Sequence, residues 1–114
     1  MPKVKFVMLL PLTYNDGSTI PKSVHEKIEE ELFLLAGGYR YGGIGKGAYR
    51  MKSGEKQVDE TAELWVVIDE AAEPELIQLV GKFAGMLDQE TIYLEKTGST
   101  VDFIPPSPPG GGNP

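Results

Sequence analysis

The chain contains no cysteine. That excludes a disulfide scaffold, a cysteine-ligated zinc site and thiol catalysis. Histidine occurs once, at His25, so no histidine pair and no Cys–His couple can be built, and His25 reads as a helix residue beside an apolar stripe. No apolar run approaches the ~20 residues that a membrane-crossing helix requires. The short apolar stretch after Lys3 and Lys5 leads into Pro11, Tyr14 and Asn15, not into the small residues of a signal-peptide cleavage site. Positive charge is in deficit: 11 Lys and Arg stand against 17 Asp and Glu, a net charge of −6. General attraction to nucleic acid or to an anionic membrane is therefore not expected. These absences predict a soluble, unprocessed, cytoplasmic protein.

What remains is the composition of one globular domain, with 114 residues, 40% of them hydrophobic and 25% charged. Lys3 to Leu12 alternates as a strand, with Val4, Phe6, Met8 and Leu10 on one face and Lys5, Val7 and Leu9 on the other. Tyr14 to Ser18 is a turn. A helix follows from Pro21, with Val24, Ile28, Leu32 and Leu35 as its stripe and Gly37-Gly38 as its stop. Tyr39 to Gly47 reads as an irregular glycine-rich loop, Ala48 to Lys52 as a short strand and Ser53 to Glu55 as a turn. Ala62 to Ile68 is a second apolar strand, with Trp65 and Val67 opposite Leu64, Val66 and Ile68. A second helix spans Pro74 to Leu87, and a last strand starts near Thr91. Gly81 and Gly85, on one face with Ile77, are expected to permit close helix packing.

The order β-α-β-β-α-β predicts an α+β, ferredoxin-like domain, an antiparallel sheet with both helices on one face. Its boundaries are set at residues 1–104, with a Pro- and Gly-rich tail at 105–114 that cannot repay the entropy of ordering. Two helices cover one face only. Val7, Leu9, Trp65 and Val67 would then crowd the open face, where a lone chain rarely tolerates several hundred Å² of apolar surface. A second copy, a cavity, or the 39–61 segment folded over the face would cover them. The two-fold homodimer is the expected assembly.

The charge is uneven. Residues 40–56 sum to +4 and the remainder to −10. The glycine-rich segment is not a phosphate loop, because Arg40 stands where the Walker pattern needs glycine and Gly47 where it needs Ser or Thr. Gly43 to Ala48 fits G-x-G-x-x-A, but it leaves a helix and enters a strand, the reverse of the dinucleotide fingerprint. The simpler chemistry is an anionic small molecule or partner held by Arg40, Lys46 and Arg50, with Tyr39, Tyr41 and Tyr49 stacking on a ring. The acids Asp59, Glu60, Glu63, Asp69, Glu70, Glu73 and Glu75 match no calcium loop and read as solvated charge. No metal and no cofactor are expected.

The strand end Leu10-Pro11-Leu12, the turn Asn15-Asp16-Gly17, Pro21 and the paired glycine after Leu35 are similar to those of a loose group of small bacterial α+β proteins. The likeness spans roughly residues 4–96, implies one compact domain and brings no catalytic residues with it. Two functions compete: a non-enzymatic binding or accessory protein, and a small cofactor-free enzyme of the dimeric ferredoxin-like kind. A cavity of a few hundred Å³ with an inward polar group favours the enzyme, and a dry sheet-to-sheet interface the binding module.

Overall fold

The structure is a computed structural model and describes residues 2–107. Its elements are β1 (Lys3–Pro11), α1 (Lys22–Ala36), β2 (Arg40–Arg50), β3 (Lys56–Asp69), α2 (Glu73–Met86) and β4 (Tyr93–Val101), with a 3₁₀ turn at Glu70–Ala72. The four strands form one sheet in the order β2-β3-β1-β4, every pair antiparallel. This is the ferredoxin-like fold that the order of elements predicts. The apolar strands β1 and β3 lie inside and the charged ones at the edges, as the burden of unpaired edge groups requires.

Register puts Val4, Phe6, Met8 and Leu10 opposite Ile68, Val66, Leu64 and Ala62. Those side chains share one face, and Ile28 and Leu32 of α1 and Leu76, Val80 and Phe83 of α2 close over it. Burying side chains of this kind contributes roughly 1.5–3 kcal/mol each, so the face that carries the helices is the stable one. Gly37 ends α1 at φ 78°, donating its N–H to the Phe33 carbonyl at 2.8 Å. His25 secures the same helix to the end of β1, its Nε2 lying 3.1 Å from the Pro11 carbonyl. At the start of α2, Lys96 of β4 bridges Glu70 at 2.9 Å and Glu73 at 2.8 Å.

Two expectations change. Tyr39 to Gly47 is not an irregular loop: from Arg40 onward it is strand, and β2 runs eleven residues to Arg50 against a fourteen-residue β3. The segment therefore widens the sheet as a paired strand and is not a loop laid across it. Glycine carries no apolar pattern, so only pairing with β3 makes it a strand. Gly81 and Gly85 permit no close packing, for both are exposed and a Cβ on either would meet nothing within 4 Å. The last strand runs on through Gly98 to Val101, with a register irregularity opposite Val4–Phe6. Of the tail, 105–107 are exposed and 108–114 lie outside the described residues.

Candidate functional site

The open face of the sheet follows from the same register. Leu9 pairs with Glu63, Pro11 with Thr61, Gly47 with Asp59 and Tyr49 with Gln57. Alternation places Trp65, Glu63, Thr61 and Asp59 together on this face of β3, away from the helices. The β2–β3 hairpin turns at Met51–Glu55, where Gly54 adopts φ 91°. Just beyond Arg50, the Lys52 N–H donates to Glu90 Oε2 at 3.2 Å, fastening the hairpin tip to the segment between α2 and β4.

The hairpin and that segment bound a half-open pocket of about 390 Å³ lined by Leu9, Pro11, Gly47, Tyr49, Asp59 and Thr61 on the sheet side, and by Gln89, Ile92 and Tyr93 from the connection. A trough of about 360 Å³ runs on from it past Gly42, Gly45 and Glu63, sharing Leu9, Gly47 and Thr61. Both volumes fall in the range that holds a small ligand.

Asp59 is the one buried charged residue among the described residues, at 7% exposure. Its Oδ1 accepts from the Gln57 amide at 3.1 Å. The expectation that it belongs to solvated loop charge is thus corrected; the hairpin curl that buries it is a tertiary feature absent from the local pattern. Beside it, the Tyr49 hydroxyl is buried and without a hydrogen-bond partner. The other such atom among the described residues is a Glu31 oxygen, whose sister oxygen already accepts from Lys82. Burial first, then the charges of Asp59 and Glu90, push the Tyr49 phenol above its usual ionisation range, so it stays a neutral donor. A donor left idle in a buried place calls for a partner.

The sequence-predicted residues do not converge. Register sets Arg40 opposite Trp65 and Tyr49 opposite Gln57 on the open face, while Lys46 lies opposite Glu60 and Arg50 opposite Lys56 on the other. The +4 segment is thus laid along β3's Asp59, Glu60 and Glu63, a juxtaposition that counting charge along the chain cannot reveal. Tyr39 and Tyr41 face each other edge-on, with ring centroids 6.2 Å apart, and both hydroxyls donate to Glu29 of α1. Burial, followed by that bond and the Glu29 charge, holds the Tyr41 phenol far above its usual range.

The four open-face apolar residues lie where β1 and β3 pair, turned from the helices as expected. They are less bare than expected: Val7 is 9% exposed and Leu9, Trp65 and Val67 are half-buried. Lys5 Nζ sits 4.6 Å from the Trp65 ring centre, its chain shielding the indole. The large apolar side chains that do stand exposed include Phe33, Leu34, Ile44 and Ile77.

No helix among the described residues is long and apolar enough to cross a membrane, and no cluster of three or more metal-ligating side chains occurs among them. No family model matches the chain, and no curated protein matches it. Among solved structures it is similar to a phage SAM lyase in complex with S-methyl-5'-thioadenosine, at 13% identity and a TM-score of 0.65 over 88% of this chain and 85% of that one. It is also similar to the divalent cation tolerance protein Cut A1 of Thermus thermophilus, at 16% identity and a TM-score of 0.59 over 85% and 84% of the two chains. A Bacillus cereus protein related to NIF3 shares 11% identity with a TM-score of 0.59 over 87% of this chain, which spans only 26% of that protein. At such identities the likeness establishes the fold.

Proposed function

We propose that this protein is a small-molecule-binding or accessory protein whose ligand occupies the pocket on the open sheet face. One observation carries the reading: Asp59, whose side chain is buried, and Tyr49, whose buried hydroxyl has no partner, are both among the residues that line one cavity of about 390 Å³. Apolar walls from Leu9, Pro11, Ile92 and Tyr93 supply contact area, and the two polar groups supply orientation. The alternative of an anion on Arg40, Lys46 and Arg50 has weaker support, since these side chains divide between two faces of β2 and of the three only Lys46 lines the trough, where Glu63 accompanies it. We further propose that two copies pair through the Val7–Trp65–Val67 end of the open face, leaving the Leu9–Asp59 end to the ligand.

The same pair of groups favours a second reading, a cofactor-free enzyme. Asp59 can accept a proton while Tyr49, kept neutral, donates one, which is the division of labour that proton-transfer catalysis needs. The similar phage lyase was solved with a thionucleoside, so S-methyl-5'-thioadenosine is a sensible first probe beside adenosine, simple amines and inorganic phosphate.

The test is calorimetry and thermal shift on the intact chain. A ligand among these should raise Tm, and Asp59→Asn should weaken it at least tenfold. Tyr49→Phe should weaken binding severalfold if the protein only binds, and should instead abolish turnover with binding largely kept if it is an enzyme. If no probe stabilises the chain, the pocket reading fails. If phosphate alone does so, and Arg40→Ala with Lys46→Ala removes the effect, the ligand is an anion held by β2.

A further inference from the structure

Glycine in a strand interior gives up side-chain packing and rigidity, so its presence there asks for a reason. Several glycines of this chain have one. Gly17, Gly37, Gly43 and Gly54 adopt positive φ, Gly43 at the β2 irregularity where the pairing with β3 shifts between Tyr41 and Gly43. At Gly42 a Cβ would come within 2.8 Å of the Glu63 carboxylate. Gly45 and Gly47 have no such reason. Neither has a positive φ, and a Cβ on either would meet nothing within 4 Å. Both stand in β2 opposite open-face residues, Gly45 at Thr61 and Gly47 at Asp59, and both line the trough. The chain's own packing leaves these two places empty on the floor of the trough, and Gly47 also lines the adjoining pocket that holds the buried carboxylate.

We infer that the ligand carries a flat, neutral or cationic ring bearing N–H donors, laid against the bare backbone at Gly45 and Gly47 with its donors toward Asp59. This rests on the pocket reading above. A side chain at either glycine would lift a ring off the strand. Leu9, on the same face of neighbouring β1, supplies the apolar edge of the slot, and Tyr93 bounds the adjoining pocket. Asp59, Glu63 and Lys46 line the cavities, and Glu90 lies near enough to act on Tyr49, so three carboxylates stand against one ammonium and the local field favours a donor or a cation over an anion.

Gly45→Val and Gly47→Val place a strand-favouring side chain into open space at ordinary φ, so each variant should fold with a Tm equal to or above the parent's; Gly47→Ala serves as the milder change. The probes are adenosine and benzamidine as flat donor-bearing rings, benzoate as a flat anion and ribose as a donor without a flat ring, followed by calorimetry on the intact chain. Adenosine or benzamidine should bind the parent, benzoate should bind at least tenfold more weakly, and Gly47→Val should lower the affinity of the bound ring at least tenfold. Unchanged affinity in Gly47→Val, or benzoate binding as tightly as benzamidine, overturns the inference. So does binding of ribose without the rings, which leaves the pocket reading standing. A fall in solution mass on Gly47→Val, without loss of ring binding, assigns the glycines to contact between copies and also overturns it. Failure of the parent to bind any probe removes the pocket reading and this one together.

Discussion

Tyr41 donates its hydroxyl to Glu29, and ionising it would set an anion against that carboxylate. Burial first, then that bond and the Glu29 charge, hold its proton well above the pH near 10 at which an unfolded tyrosine loses it. Between those two values the folded chain keeps a proton that the unfolded chain has released. Stability is thus complete below about pH 10 and falls as pH rises toward the folded value. Tyr41→Phe should be less stable than the parent by about 1 kcal/mol at pH 7, the worth of a typical hydrogen bond. It should also lose less between about pH 9 and about pH 11.5 in urea titrations. Tyr39, Tyr49 and Tyr93 are raised as well, so some slope persists. Equal slopes in parent and variant would show that the Tyr41–Glu29 contact is not kept in solution. The same residues mark a boundary of what sequence conveys. Tyrosines between glycines and cations look like ring-stackers, yet Tyr39 and Tyr41 are engaged by an acid on a helix ten or more positions earlier. Asp59 is likewise one acid among many along the chain, and becomes singular only when the hairpin curls around it.

Elements whose own pattern encodes burial were legible: β1 and the Ala62–Ile68 part of β3 with apolar residues on both faces, α1 with its stripe from Val24 to Leu35, and α2 with Leu76, Val80 and Phe83; the polar first part of β3, from Lys56 to Thr61, was not. Their order was enough for the topology, because few arrangements bury two amphipathic helices against one four-stranded sheet. β2 was not legible over most of its length. Five of its eleven residues are glycine or alanine, and its strand state comes from partners in β3 and not from its own side chains. A hairpin of that sort needs an anchor at its tip, and the structure provides one from Glu90 to the Lys52 N–H. Glu90→Ala should therefore speed hydrogen exchange at the Lys52 amide about tenfold or more while leaving the amides of β1 and central β3 unaltered. Exchange at Lys52 that does not change would mean that the tip is held by its own turn alone, and that the pocket wall does not depend on the α2–β4 connection.

At the scale of the molecule, the fold leaves one sheet face without a layer of its own, and the chain answers unevenly. At one end the curl of the hairpin and the Gln89–Tyr93 segment close a cavity. At the other, beside Val7 and Val67, the Lys5 side chain is placed across the Trp65 indole. A lysine stem shields apolar surface while its charge stays wet, and it can swing aside when a better cover arrives. The proposed pairing of two copies requires that exchange. Trp65 is the single tryptophan, so its emission reports on this end alone. Light scattering should give a mass near twice 12.4 kDa at high concentration. Dilution should then shift Trp65 emission to longer wavelength as water reaches the ring. Val67→Glu puts a carboxylate into the contact and should yield single chains with an unchanged circular dichroism spectrum. A mass of one chain at every concentration would remove the pairing. A stable dimer in Val67→Glu, with emission indifferent to dilution, would move it to another surface, of which the exposed Phe33 and Leu34 on α1 offer the nearest apolar alternative.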